Sequence, residues 1–154
     1  MSLGYGGRVT VTRPANTTPY TANDVLGGVI TFSEMGPSGQ NIMITSVSLQ
    51  ANLAAVVSGM TTWRLHLYDV TPPSALADNA PFDVPAGDQA SYLGYLELGT
   101  LVDIGSTLYI ATDAINRQRK LAGEHLYGYL VTVGGFTPAG NSEVYIVGMN
   151  SVAL

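Results

Sequence analysis

The sequence contains no cysteine among its 154 residues. This absence excludes disulfide bonds, thiol nucleophiles and cysteine-ligated metal sites, and cysteine usage therefore does not indicate a redox compartment. There is also no run of about 18 apolar residues, the length that a membrane-spanning helix requires. Residues 1–7 do not form a basic stretch followed by an apolar one, so we expect no secretory signal peptide and no membrane partner.

Charged residues are scarce, at 11% of the chain, where about 25% is usual in a soluble domain. The net charge of −5 disfavours nucleic acid as a partner, because binding to a phosphate backbone requires clustered Lys and Arg. The one basic cluster is Arg117–Lys120, which we interpret as a solvated strand or turn. With so few charges, the surface is either kept soluble by Ser, Thr, Asn and Gly or largely covered by protein partners, and we favour the second interpretation.

The apolar residues that are present follow the two-residue period of β-strands. Between residues 61 and 69, Trp63, Leu65 and Leu67 alternate with polar side chains, which predicts a strand with one face in a core and the other outside it. Further strands are predicted at residues 8–13, 24–32, 42–53, 91–98, 106–111, 115–121, 124–133 and 143–149.

These strands predict an all-β fold in a single domain, residues 1–154, with little helix. We expect an antiparallel β-sandwich with jelly-roll topology, because many short strands and frequent turns fit two packed sheets. Residues 1–7 are glycine-rich and predict an extended N-terminal arm. The pair Gly27 and Gly28 predicts a β-bulge or a close approach of the backbone, and a change of phase near Thr45 and Ser46 predicts a bulge there.

Residues 72–89 show no periodicity. A loop of this length in a compact domain is typically either functional or wrapped over a face of the protein. Its oxygen-bearing side chains could coordinate a calcium ion, but they lack the spacing of an EF-hand loop, so we expect no bound calcium. These side chains are Asp78, Asn79, Asp83 and Asp88.

Residues suited to catalysis are few and scattered. His66 and His125 have no partners at metal-ligand spacing, and we interpret both as residues on strand surfaces. No Gly-x-Ser-x-Gly motif is present. The glutamates are interpreted as solvating charges and not as a glycosidase pair: Glu34, Glu97, Glu124 and Glu143. We therefore predict no catalytic residue, no metal, no cofactor and no enzyme activity; a hydrolase of cell-wall or capsular sugar is a third possibility that no motif favours.

The chain has nine tyrosines, of which Tyr127, Tyr129 and Tyr145 are predicted to share one face with Val131 and Val147. Tyrosine is favoured in strands, at protein interfaces and in sugar sites. The apolar neighbours favour a face that is buried or covered by a partner over one that binds sugar.

Residues 12–26, TRPANTTPYTANDVL, resemble the opening of small structural proteins encoded by tailed bacteriophages and prophages. The likeness continues in RLHLY at 64–68, APFDVPAGD at 80–88, YLGY at 92–95 and LYGYL at 126–130. The resemblance implies a jelly-roll virion protein, made in the host cytoplasm, that decorates or cements the outer surface of the capsid. It further implies binding to the major capsid protein and self-association as a homotrimer. The alternative is a tail, neck or spike component that binds host glycan.

For contacts with neighbouring capsid subunits we predict Tyr5 in the arm and an apolar connector formed by Leu53, Val56, Val57 and Met60. Burial of apolar area would supply most of the binding energy, reduced by the entropy of ordering the arm. An equally weighted alternative is that Val56 and Val57 pack beneath their own sheet.

Overall fold

The computed structural model describes residues 4–154, which form ten β-strands and one 3-10 turn, with no α-helix. The strands are β1 (Gly4–Thr12), β2 (Val25–Phe32), β3 (Asn41–Ala51), β4 (Thr62–Tyr68), β5 (Tyr92–Thr100), β6 (Val102–Asp103), β7 (Leu108–Thr112), β8 (Arg117–Lys120), β9 (Leu126–Thr132) and β10 (Val144–Ala153). The 3-10 turn is Ala86–Asp88. Within the described residues, no helix is long and apolar enough to cross a membrane. The all-β prediction is confirmed.

The strands form two antiparallel sheets. The first sheet has the order β1-β10-β3-β7-β6, with β8 also paired to β3, and the second has the order β2-β9-β4-β5. Pairing is nested along the chain: β1 with β10, β2 with β9, β3 with β7 and β4 with β5. Successive pairs alternate between the two sheets, as in a long hairpin rolled up on itself. This is jelly-roll topology, and that prediction is confirmed.

The core lies between the two sheets and is centred on the inward face of β4. Trp63, Leu65 and Leu67 are fully buried there, as their alternation predicts. The Trp63 ring packs on Phe136 and Tyr145, with ring centroids 5.8 and 5.6 Å away. Burial of these large apolar surfaces provides the main driving force for closing the sandwich.

Both predicted bulges are confirmed. The register of β2 against β9 shifts between Leu26 and Val29, where Gly27 and Gly28 have φ angles of 89° and 101°. The register of β10 against β3 shifts between Asn150 and Ser151 and leaves Thr45 without a partner in the ladder. The first bulge requires glycine, because few residues with a side chain adopt such φ angles.

The predicted N-terminal arm is corrected for residues 4–7. These residues belong to β1 and pair with residues 149–152 of β10. Because β10 continues to Ala153, its edge offers backbone partners to the whole of β1, and a glycine-rich sequence can join that ladder. Residues 1–3 of the arm lie outside the described residues.

Residues 72–89, which we call the strap, cross the outer face of the second sheet. Leu76 and Phe82 of the strap pack in a second apolar cluster with Tyr68 and Tyr129. Of the two roles predicted for this loop, wrapping over a face is confirmed. The sequence predicts that only one face of β4 is buried, and this prediction is wrong. The outward residues Tyr68 and His66 are buried as well, because the strap covers them.

Candidate interaction surface

His66 lies beneath the strap, so its predicted place on a strand surface is wrong. Its ring stacks on Phe82 with centroids 3.6 Å apart, and Nδ1 lies 2.8 Å from the hydroxyl of Tyr92. Burial, with the positive charge of Arg64 second, lowers the pKa of His66 to about 4. The imidazole is therefore neutral at pH 7. His125 is half-buried, and its Nδ1 accepts a 3.1 Å hydrogen bond from the backbone N–H of Glu34.

The acidic residues of the strap make hydrogen bonds within the fold. Oδ1 of Asp78 accepts from the Tyr20 hydroxyl at 2.7 Å and from the Gly27 N–H at 2.8 Å. Asp88 accepts from both the N–H and the hydroxyl of Ser74. In the part of the chain that the structure describes, no three His, Cys, Asp or Glu side chains are grouped so as to hold a metal ion.

The segment that carries the phage resemblance forms a buried polar network. Arg13 is only 1% exposed, and its Nε lies 3.2 Å from Oε1 of Glu143. Its Nη2 donates to the carbonyl oxygens of Asn16 and Gly140, and its Nη1 lies 3.4 Å from the Tyr20 hydroxyl. Glu143 is thus a buried ion-pair partner and not the solvating charge that was predicted, because a buried guanidinium needs a counter-charge.

The three tyrosines that were predicted to share a face lie in different sheets. Tyr145 belongs to β10 and points into the core against Trp63. Tyr127 and Tyr129 belong to β9 and pack in the cluster beneath the strap. The prediction of a common face is wrong because β9 and β10 belong to opposite sheets of the jelly roll. Strand periodicity alone does not reveal the sheet to which a strand belongs.

The predicted interface residues divide between core and surface. Leu53 and Met60 are buried in the core, and Val57 packs against it. Val56 is exposed, and Tyr5 is half-buried on β1. The connector therefore directs most of its apolar surface inward. A role in an interface stays a prediction for all five residues, of which Val56 and Tyr5 have the more accessible side chains.

The outer face of β1, β3, β7 and β10 in the first sheet, which we call the open face, carries almost no charge; the basic strand β8 pairs with β3 at its margin. Arg8 is the only charged residue in β1, β3, β7 and β10. The side chains that point outward are small or neutral: Thr10, Ser46, Ser48, Gln50, Ile146 and Asn150. A groove of about 310 Å³ crosses this face past Ser48 and Gly148.

Three exposed apolar side chains border the open face at β6. Val102, Ile104 and Tyr109 are 54%, 59% and 37% exposed. Val102 and Tyr109 are cross-strand partners, and a 2.9 Å hydrogen bond from the Ile104 N–H to the Thr107 carbonyl closes the turn beyond them. Sequence reasoning missed this border, and the shared parity of Val102 and Ile104 next to a glycine turn is the signal that could have identified it.

The sequence matches no protein-family model and has no significant match among curated proteins. Among solved structures, the chain is similar to one in the capsid of Ralstonia phage GP4, with 14% identity, a TM-score of 0.42, and 99% of this chain and 84% of the other covered. It is also similar to FLHE, with 14% identity, a TM-score of 0.36 and 96% of each chain covered. For Cocksfoot mottle virus the identity is 8%, the TM-score 0.35 and the coverage 97% and 83%. Because one fold serves many functions, likenesses this distant assign none to this chain.

Proposed function

We propose that this chain is a structural protein of a tailed-bacteriophage virion, and specifically a decoration or cement protein bound to the outside of the head. In this proposal it stabilises the shell by contacting the major capsid protein. The observation that carries the proposal is the open face, a broad sheet surface in which Arg8 is the only charge on four strands. The sequence resemblance of residues 12–26 to phage structural proteins supports the same role.

Charges on exposed sheet surfaces help to keep a β-protein monomeric. Sheets that face water usually carry charges on their outer faces and edges, which oppose edge-to-edge and face-to-face association. The second sheet of this chain has its outer face covered by the strap. Among residues 4–154, no segment covers β1, β3, β7 and β10 of the first sheet in this way, and these four strands carry one charged residue, Arg8. A neutral surface of hydroxyls and amides can be buried against a protein without desolvating ions, which would otherwise oppose binding.

The apolar border supplies the hydrophobic part of such contacts. Val102, Ile104 and Tyr109 lie together at one margin of the open face, and Val56 is exposed on the connector. Burial of apolar area contributes roughly 25 cal/mol per Å², less the cost of association.

We further propose that the chain assembles as a homotrimer before or upon binding, with these exposed apolar residues at the contacts between copies.

The test uses heads of the encoding phage from which this protein has been removed by gene deletion. Purified protein is added back, and the bound copies are counted on the shell by cryo-EM. We expect binding that saturates at a fixed number per head and a rise in the temperature at which the heads release DNA. The variant Thr10→Glu, which places a charge on the open face, should reduce occupancy at limiting protein by about tenfold. The matched control is Thr17→Glu, which adds the same charge at another exposed threonine away from the sheet.

Several results would overturn the proposal. The capsid role fails if particles contain the protein only at the neck or tail, or if deletion leaves the heat stability of heads unchanged. Equal occupancy for the two threonine variants removes the open face from the contact. Native mass spectrometry of the free and shell-released protein tests the trimer, which fails if only the 16.1 kDa monomer is found.

A further inference from the structure

A recess of about 600 Å³ opens beside the free edge of β5, facing residues 112–117 of the first sheet. Ligand sites commonly have volumes of about 300–1,000 Å³ and combine apolar walls with a few polar groups. The walls here have that composition: Tyr92, Tyr95, Leu96, Glu97, Ile115 and Arg117. None of these residues takes part in the open face.

Two arginines of β8 point towards β5 from the first sheet. Arg117 and Arg119 pair in register with Ile44 and Ile42, whose side chains are in the core, so both arginines project to the inner side of the sheet. Arg119 reaches β5, where its Nε donates a 3.1 Å hydrogen bond to the carbonyl of Leu93. Arg117 lines the recess itself.

The charge around the recess is positive in a chain whose net charge is −5. The negative group in the lining, Glu97, is already paired with Nε of Arg64 at 2.8 Å. The ion pairs among residues 4–154 are this one and Arg13–Glu143, so no carboxylate lies within 4.0 Å of the Arg117 or Arg119 guanidinium. Two guanidinium groups without acidic partners favour an anionic ligand over a neutral one.

The rim of the recess is held in a defined backbone conformation. Ala114 and Asn116, on either side of Ile115, have φ angles of 55° and 54°. An alanine in this region is unfavourable by roughly 1–2 kcal/mol, and such conformations persist where the surrounding structure requires them. The N–H of Ile115 donates a 3.0 Å hydrogen bond to the carbonyl of Thr45, which holds the backbone at the residue that forms the apolar wall.

The edge of β5 is protected against the addition of another strand. The Leu93 carbonyl already accepts from Arg119, and the Glu97 carbonyl lies 3.5 Å from the hydroxyl of Thr112. The register of β5 also shifts at both of its ends. These features block a continuous ladder, so the recess suits a compact ligand and not an extended peptide.

We propose that this recess binds an acidic saccharide. A sugar ring presents an apolar C–H face and a rim of hydroxyls. The lining offers apolar side chains for the first, Ile115 and Tyr95, and polar groups for the second, Thr112 and Glu97. The carboxylate of the sugar pairs with the fork of the Arg117 guanidinium, which is suited to two parallel hydrogen bonds. This activity is additional to the proposed role in the capsid and does not depend on it.

The experiment is a titration of the ¹⁵N-labelled full chain by NMR at pH 7 and constant ionic strength. The probes are glucuronic acid, with glucose as the neutral sugar and acetate as the bare carboxylate. We expect glucuronic acid alone to shift the amides of Gly94, Thr112, Ile115 and Arg117. Arg117→Gln should weaken this binding by about tenfold, while Arg8→Gln, the matched change at an exposed arginine of the open face, should leave it unchanged.

Each contrary result has a distinct meaning. The site is rejected if glucuronic acid shifts none of these amides, or if Arg117→Gln binds as well as the unchanged chain. Equal shifts with acetate reject the saccharide and leave only a carboxylate site. Stronger binding of a poly-glutamate peptide at the same amides assigns the recess to an acidic protein segment and overturns the proposal. None of these results alters the occupancy of capsids, which is measured separately.

Discussion

The hydroxyl of Tyr20 donates a 2.7 Å hydrogen bond to Oδ1 of Asp78. Tyr20 lies in the connection from β1 to β2, and Asp78 lies on the strap, so this bond joins two segments that are 58 residues apart. Nη1 of Arg13 approaches the same hydroxyl at 3.4 Å and links it to the buried ion pair with Glu143. The strap is therefore tied to the end of β1 and to the residue that precedes β10.

A pair of tyrosine variants tests whether the Tyr20 hydroxyl contributes to stability. Tyr20→Phe removes the donor from Asp78 and should lower the free energy of unfolding by about 1–2 kcal/mol. Tyr145→Phe is the matched control, because the Tyr145 hydroxyl is buried with no hydrogen-bond partner among residues 4–154. That change should be neutral or slightly stabilising, as it removes an unsatisfied polar group. Urea unfolding of both variants measures the difference, and equal losses would contradict the assignment.

The two ion pairs should contribute differently to the free energy of unfolding, because one is buried and the other is exposed. Arg13→Met leaves the Glu143 carboxylate uncompensated inside the protein and should cost about 3–5 kcal/mol. Arg64→Met breaks the exposed pair with Glu97 and should cost less than about 1 kcal/mol. The fluorescence of Trp63, the only tryptophan, reports unfolding in both cases. Similar losses would mean that the buried network contributes no more than a surface pair.

Much of the fold followed from residue pattern alone. Alternation at Trp63, Leu65 and Leu67 identified β4, and the glycine pair at 27 and 28 identified the bulge in β2, because both signals are local. The layer to which each strand belongs is not local, since it depends on how the whole chain rolls up. The grouping of Tyr145 with Tyr127 failed for that reason.

The candidate surfaces were harder to predict than the strands. His66 and Glu143 have the sequence context of surface residues, and their burial depends on partners that are far away in the chain: Phe82 on the strap for the first and Arg13 for the second. The open face was anticipated only as a shortage of charge, and no local signal indicated which strands would present a nearly uncharged face without a covering loop.

Gly27 should be more sensitive to substitution than Gly87, the glycine of the strap. A Cβ built at this position would lie 2.1 Å from Cγ1 of Val11, and its φ of 89° is unfavourable for other residues. Gly27→Ala should therefore destabilise the protein by at least about 2 kcal/mol. Gly87→Ala is the control, since a Cβ there meets no atom within 4 Å, and its effect should stay within about 1 kcal/mol of zero. Thermal unfolding followed by circular dichroism compares them, and a tolerant Gly27 would show that the bulge can rearrange.

His66 should make stability depend on pH in the mildly acidic range. Its pKa in the folded protein is lowered to about 4, from an ordinary value of 6.5, because the strap buries the ring and Arg64 is near it. Between these two values the unfolded chain binds a proton that the folded chain does not bind. The free energy of unfolding should therefore fall as the pH drops from about 6.5 to about 4, by up to roughly 3 kcal/mol, and this contribution should level off below pH 4.

The variant His66→Phe isolates this contribution. It preserves an aromatic ring against Phe82 but does not titrate, and it loses the hydrogen bond to the Tyr92 hydroxyl. At pH 7 the variant should therefore be the less stable protein. Urea unfolding at intervals between pH 7 and pH 4 should show that this deficit shrinks and then reverses, because the carboxylates titrate in both proteins and only the original chain has an imidazole beneath the strap. Parallel stability curves would mean that acid opens the strap before the ring is protonated.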